Sequence, residues 1–384
     1  MPDVIRVMHL ITSLSLGGAQ TALSRLVIGL NGVRIASSAV SMTEVGPLGE
    51  RLQAQGVPVH VLGMRRGQPS PAGLIKLVRL LRRERPHILQ TWLYHADLFG
   101  LLAAQLAHLP LVVWNVRASN MDMTHYRRLS GWTVKACTWL SGIPKTVVVN
   151  SEAGRAFHVQ IGYHPQRWVL IPNGVDLHKF RPDPALRADV RRELGLESNA
   201  LLVGLLARFD PMKDHATFLR AAGLLARTEP AVHFLLAGER MTHDNVALSE
   251  MIIQEKLEAQ VHLLGLRPDP PRLMAALDIF ALSSVSEGFP NVVAEAMACG
   301  VPGVVTNVGD SASIVAETGV VVPPRDPTTL AEGWRTLIAL GAQGRQQLGR
   351  AASERVRRHY SLEAMVQRYE DLYLSLVECP ECVE

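Results

Sequence analysis

Short runs of apolar and β-branched residues alternate along the chain with longer stretches in which apolar positions recur every three or four residues. The runs are "VIRVMHLI", "ASSAVSM", "PVHVLG", "HILQTW", "LVVWNV", "KTVVVNS" and "WVLIPNG", then "LLVGLLAR", "VHFLLAG", "VHLLG", "IFALSS", "GVVTNV" and "GVVVPP". Runs that are apolar on both faces and separated by helical patterns predict parallel sheets covered on both sides, an α/β protein. The rhythm breaks at "IPNGVDLHKFRPDP", where Pro172, Asn173, Gly174, Pro182 and Pro184 make a turn-rich connector before a fresh strand at Leu201. Each side is long enough for its own doubly wound sheet, and two such lobes would face a central cleft, the usual place for a ligand.

Length agrees with the pattern. At 384 residues the chain exceeds the roughly 250 to 300 residues at which a single core stops growing. The expected division is residues 1–175 and 176–360, with a last helix over 361–378.

Composition then excludes classes. Hydrophobic residues at 48% and charged residues at 19% are those of a globular protein. "MPDVIRVMHLITSL" carries an acid and a base before a short apolar run, so it reads as a first strand and not as a cleaved signal. The best candidate for a membrane span, "LFGLLAAQLAHLPLVVWNV" from Leu98, is interrupted by Gln105, His108 and Pro110, and divides into a helix and a strand. Four cysteines are too few for a disulfide framework and suit the cytoplasm. Cys379 and Cys382 of "CPEC" stand without a second pair, so a frayed end is preferred over a metal site. The net charge of +4 fits an acidic ligand or an anionic surface, and no aromatic-interleaved basic motif of a nucleic-acid binder occurs.

Three strand-to-helix turns carry candidate chemistry. In "TSLSLGGAQTALSRLV", Gly17 and Gly18 lead into a helix, where open backbone amides attract phosphate; the bland alternative is a tight turn that needs glycine. No glycines have the G-x-G spacing of the dinucleotide fingerprint. In "ARFDPMKD", Arg208 and Lys213 follow a strand at its carboxyl end, placed to neutralise a diphosphate or, equally, to be solvated loop charges. In "SSVSEGFPNVVAEAMACG", Glu287 lies in the loop and Glu295 in the following helix. Taken singly, one is a loop acid and the other a counterweight to the helix dipole.

Together, "SSVSEGFPNVVAEAMACGVP" with its E-x₇-E spacing, "ARFDPMKD", "NSEAGRAFH", "IPNGVDLHKF", "HFLLAGE", "VHLLGLRPD" and "TGVVVPPRD" resemble the retaining glycosyltransferases of family 4, in the right order over nearly the whole chain. The resemblance implies the GT-B fold, two Rossmann-like lobes with the nucleotide sugar held chiefly by the second, and a terminal helix crossing back to the first. It implies that Arg208 and Lys213 grip the donor diphosphate, Glu295 binds the ribose hydroxyls and Glu287 faces the transferred sugar. The amides around Gly288 and Phe289, with Asn291, would hold sugar and phosphate oxygens. Arg267, in "VHLLGLRPD", joins the donor set, and Gly17 and Gly18 would close over the diphosphate. Family members commonly carry a histidine after the fifth strand where this chain has Arg117, a cation but not a neutral base; His95, in "QTWLYHADLFG", resembles a second family histidine on the acceptor side.

No two aspartates have D-x-D spacing, so no metal or other cofactor is expected and side chains must carry the phosphate charge. The expected activity is retaining transfer from a nucleotide sugar, UDP-linked, to a glycan or lipid-linked acceptor in polysaccharide or glycoconjugate assembly. A sugar-nucleotide epimerase and a silent sugar-nucleotide binding module are the alternatives. "PAGLIKLVRLLRRERP", residues 71–85 with the adjoining proline, carries Leu74, Leu77, Val78 and Leu81 on one stripe and Lys76, Arg79, Arg82 and Arg83 on another. It is either an ordinary core helix with a basic outer face or a helix that rests on the inner, anionic face of a membrane.

Overall fold

A computed structural model describes residues 4–378 apart from 31, 33, 66, 67, 69, 118–127, 198 and 199. Cys379 and Cys382 lie outside the described residues. Contacts divide the chain into two compact units, Met1–Gly174 with Leu362–Glu384, and Val175–Ser361.

The first unit runs β1 (Ile5–Ile11), α1 (Gly18–Leu30), β2 (Ile35–Ser41), α2 (Gly46–Ala54), β3 (Val59–Val61), α3 (Pro71–Glu84), β4 (Ile88–Trp92), α4 (Tyr94–Ala107), β5 (Val112–Val116), α5 (Arg128–Leu140), β6 (Thr146–Val149), α6 (Glu152–Gln160) and β7 (Trp168–Leu170). Its strands form one parallel sheet in the order β3-β2-β1-β4-β5-β6-β7. The second unit runs α7 (Pro184–Glu193), β8 (Leu201–Leu206), α8 (His215–Ala226), β9 (Val232–Ala237), α9 (Val246–Gln254), β10 (Val261–Leu263), α10 (Pro270–Ala276), β11 (Ile279–Leu282), α11 (Asn291–Ala298), β12 (Gly303–Thr306), α12 (Ser311–Val315), β13 (Val320–Val322), α13 (Pro327–Ala339) and α14 (Gly341–His359). Its sheet is also parallel, ordered β10-β9-β8-β11-β12-β13. The thirteen apolar runs of the sequence are these thirteen strands, and the α/β class expected from them is the one observed.

Strands buried on both faces require an apolar layer on each side, and both sheets have one. In the first, α1, α2 and the last helix α15 (Leu362–Glu378) cover one face, and α3, α4 and α5 cover the other. The stretch from Leu98 divides into α4 and β5, and among the described residues no helix is long and apolar enough to cross a membrane. Helix α15 buries Met365, Tyr369, Leu372, Tyr373 and Leu376 against this sheet. The second unit is closed where its ends meet, Val175 N–H donating to the Tyr360 carbonyl at 2.8 Å.

Candidate active site

In open parallel sheets the loops at the carboxyl ends of the strands are free to bind. β8 and β11 are neighbours in the second sheet, so the loops that follow them meet. After β8, Asp210 accepts from the Met212 N–H at 2.9 Å and caps a short 3₁₀ turn, Pro211–Lys213. Asp214, at φ 48°, then caps α8 by accepting from the Thr217 N–H and hydroxyl. The two caps fix where Lys213 leaves the chain.

The β11 loop is fastened to this turn. Ser283 Oγ donates to the Lys213 carbonyl at 2.7 Å, and the Val285 N–H donates to the Met212 carbonyl at 2.9 Å. Thr306, at the end of β12, donates to the Ser284 carbonyl at 2.7 Å. Gly309 closes the other side. At φ +55°, a Cβ there would lie 2.5 Å from the Glu287 and Gly288 carbonyl oxygens, so only glycine admits the contact.

Within this frame Lys213 Nζ donates to Glu287 Oε1 at 2.6 Å, and Ser284 Oγ donates to the same oxygen at 2.6 Å. Both side chains of the ion pair are mostly buried, at 20% and 12% exposure, which is where such a pair is geometrically fixed and weakly screened. Arg208 sits at the rim, 62% exposed, its Nε donating to Asp210 at 3.0 Å. Burial pushes the Asp210 carboxyl up, but the Met212 N–H and Arg208 outweigh it and the pKa is lowered overall.

Helix α11 begins at Asn291, which is exposed, while Phe289 is buried with its ring centroid 5.6 Å from that of Tyr360. The Phe289 side chain is therefore core, leaving its backbone for binding. Glu295 is the fifth residue of α11 and is half-buried; the first turn of that helix holds no acid. A dipole counterweight belongs in the first turn, so that bland account of Glu295 loses its basis. Glu295 also helps push the Cys299 thiol, one turn on, up to about 12, behind the larger effect of burial.

Arg267 has a different setting from Lys213. Its guanidinium is held by both oxygens of Asp269 at 2.8 Å each and by Glu193 at 2.6 Å. The Asp269 carboxyl, bonded by Arg267, drops to about 2.

In the first unit, Gly18 opens α1 as its first residue, and Gly17 and Gly18 are both exposed. A Cβ at Gly18 meets nothing within 4 Å and one at Gly17 meets only the Gln20 side chain. Neither glycine has a positive φ, so the turn itself does not require them, which removes the bland explanation. His95 is the second residue of α4; its edge is open to solvent, while partial desolvation against the packed helix start lowers its pKa. It follows Leu93, whose φ of 74° and ψ of 150° lie where little but glycine goes, a strain of about 1–3 kcal/mol that clusters at functional sites. Thr91 Oγ1 donates to the buried Asp97 at 2.5 Å and ties this helix start to β4. Arg117 donates to Asn173, to Asn115 at 3.1 Å and to Tyr369 Oη at 3.4 Å, and lies 4.6 Å from the centroid of the Trp92 ring. These partners tie β5, β4 and α15 together.

The structure thus brings Lys213 to Glu287 and sets Arg208 at the rim of the same loops. Ser284, Asp210 and Gly309 were missed by sequence reading. Ser284 stands three residues before Glu287 and was open to notice; the place of Gly309 depends on where β12 ends in space and had no local signal.

Comparison with known proteins follows this division. The model described as Glycosyltransferase Family 4 matches residues 16–179, and that described as Glycosyl transferases group 1 matches residues 199–339. A UDP-Gal:alpha-D-GlcNAc-diphosphoundecaprenol alpha-1,3-galactosyltransferase of Escherichia coli is 28% identical over 252 residues, 63% of each chain. A putative glycosyltransferase, EpsF, of Bacillus subtilis is 26% identical over 321 residues, 79% of each. The matched region is thus less than two thirds of the E. coli relative's length. The solved structure of HepE from Anabaena in complex with UDP superposes with a TM-score of 0.83 at 24% identity over 96% of this chain and 99% of that one. A HepE structure with UDP-glucose matches with a TM-score of 0.79. At that identity the likeness shows the fold, which is GT-B.

Proposed function

Since the chain belongs to the group 1, family 4 glycosyltransferases, we propose that it moves a sugar from a UDP-linked donor to a glycan or lipid-linked acceptor in polysaccharide or glycoconjugate assembly. The observation that carries this reading is the 2.6 Å contact between Lys213 and Glu287. A cation for the leaving phosphate and a carboxylate for the sugar are held one hydrogen bond apart, as a sugar–phosphate bond lying against both requires. UDP-linked donors are favoured by the E. coli relative and by HepE.

In this reading the bond from the sugar's anomeric carbon to the β-phosphate oxygen breaks through an oxocarbenium-like state. Lys213 and Arg208 stabilise the charge on the departing diphosphate, which takes the proton of the acceptor hydroxyl on the same face, so the anomeric configuration is retained. Arg267, although fastened to Asp269 and Glu193, remains in the donor set. Glu287 positions the sugar, Glu295 binds the ribose, and the amides of Gly288 and Phe289 with Asn291 hold sugar and phosphate oxygens. Gly17 and Gly18 leave the start of α1 open to a phosphate oxygen. On the acceptor side His95 is the contacting residue, and Arg117 serves it by fixing the carboxyl end of β5. No metal takes part, because the charge is met by Lys213, Arg208 and helix-start amides.

The enzyme would work at the inner face of a membrane, resting on α3. Arg79, Arg82 and Arg83 are exposed there, and cations near an anionic surface contribute about 1 kcal/mol each. His60, Lys76, Arg79 and Arg83 lie together along the open surface between α3 and the edge strand β3, so basic groups gather on that side.

A panel of nucleotide sugars screened by thermal shift tests the donor. One donor at a hundred times its dissociation constant should add about 2.7 kcal/mol of stability, and no response to any member would defeat the reading. Loss of turnover in chelator, or an inverted product by proton NMR, would remove the mechanism.

A further inference from the structure

The chain has six tryptophans. Trp92, Trp114 and Trp334 are fully buried, whereas Trp132 and Trp139 are 65% and 72% exposed. Seven residues apart on α5, these two indoles point the same way, because two helical turns nearly complete 7 residues. Their direction is fixed, since Val134 and Cys137 of the same helix are buried, Cys137 within the core beneath. Lys135, also exposed, stands between them with Nζ 5.6 Å from the Trp132 ring centroid.

The ridge is part of a wider surface. Helix α5 packs beside α4 and α4 beside α3, and their outward positions include Leu102 and Leu106 on α4 and Ile75 on α3, each about half exposed. Arg82 reaches from α3 to the Leu106 carbonyl at 2.7 Å, so cations and apolar side chains adjoin. Acids are scarce: α5 has none in its sequence, Asp97 of α4 is buried, and Glu84 of α3 is paired with Arg83. An outward layer with tryptophans, aliphatic side chains and more cations than acids matches the headgroup region of an anionic bilayer, where indoles and basic groups both settle.

We propose that Trp132 and Trp139 are an interfacial anchor that seats the outer face of α3, α4 and α5 in an anionic membrane surface. The proposal deepens the peripheral reading given above and rests on it. Cations on α3 supply long-range attraction, and the indoles supply the short-range, salt-resistant part.

The test uses the full chain with vesicles of phosphatidylcholine, with and without phosphatidylglycerol, and with brominated acyl chains as a quencher. Wild-type protein should bind the anionic vesicles with a blue shift of its fluorescence and quenching by the brominated lipid. Trp132→Ala with Trp139→Ala should lose both signals and bind about tenfold more weakly or worse, while the pair of Trp→Phe substitutions should retain most of the binding. Both positions are exposed, so the variants should melt with the wild type. Arg79→Glu with Arg83→Glu separates the two readings. If that variant loses binding but the alanine pair does not, the anchor is overturned and the peripheral reading stands. If the wild type ignores every vesicle, both fall. An indole shift that follows protein concentration without lipid would mark a self-association surface and overturn the anchor.

Discussion

Glu287 receives Lys213 and Ser284 on one oxygen, Oε1, so substituting either partner should be felt by the carboxylate as well as by a ligand. Lys213→Ala should lower kcat/KM by about 10²–10³, the usual cost of one preorganised charge donor. Glu287→Ala should act mainly on kcat, whereas Glu295→Ala should mainly raise the donor Kd, by about tenfold. Because the first two residues form one unit, their double substitution should cost less than the product of the singles. Steady-state kinetics with the responding donor checks all three. Burial lowers His9 to about 3, and burial above all lowers His158 and His215 to about 4. Above pH 6.5 neither state carries the extra proton. Below it the unfolded chain takes protons that the folded chain refuses, so stability falls as pH drops toward 4, by about 1.4 kcal/mol per pH unit for each group. Melting temperatures between pH 7 and 4.5 should show the fall, and His9→Leu should make it shallower. An unchanged slope would mean that His9 does not contribute to the fall. None of these groups was legible in sequence, since a histidine in "VIRVMHLI" does not announce what covers it.

Helix α15 shows which parts of an element can be read locally. Its amphipathic spacing, with Tyr369 and Tyr373 four apart, was visible; the polar work of the two tyrosines was not. Tyr373 Oη donates to Gln90 on β4, and Tyr369 Oη accepts from Asn115 on β5 at 2.7 Å and from Arg117. These partners lie more than 250 residues away, beyond any periodicity. Tyr373→Phe leaves the buried Gln90 oxygen without its donor and should cost about 1–3 kcal/mol. Adding Gln90→Met should recover much of it, because removing both partners abolishes the unmet polar group. Thermal or urea unfolding reads the difference, and a neutral Tyr373→Phe would mean that the bond adds nothing. The strands were legible for the opposite reason: burial on both faces leaves a continuous apolar run that needs no partner to identify.

At the scale of the molecule, the alternation of strands and helices fixed the class, and the break after "IPNG" marked the passage from one sheet to the next. Candidate chemistry was legible as loops at the carboxyl ends of strands, because that is where parallel sheets present ligands. What joins those loops was not. Lys213 and Glu287 are 74 residues apart, and Arg267 finds Asp269 nearby but Glu193 only through the fold. A basic helix could be read from "LIKLVRLLRRERP", but the outward setting of Trp132 and Trp139 follows from which face of α5 meets the core. Lys213 and Glu287 would act together, one on the leaving phosphate and one on the sugar that is delivered. The most direct measurement is NMR of each UDP-sugar incubated with the full chain and a lipid-extract acceptor. Release of UDP from one donor with appearance of a glycosylated product is expected, with near-complete loss of both in Lys213→Ala. A donor whose sugar is altered while still attached to UDP, or one that binds without releasing UDP, would mean that the site does not transfer the sugar.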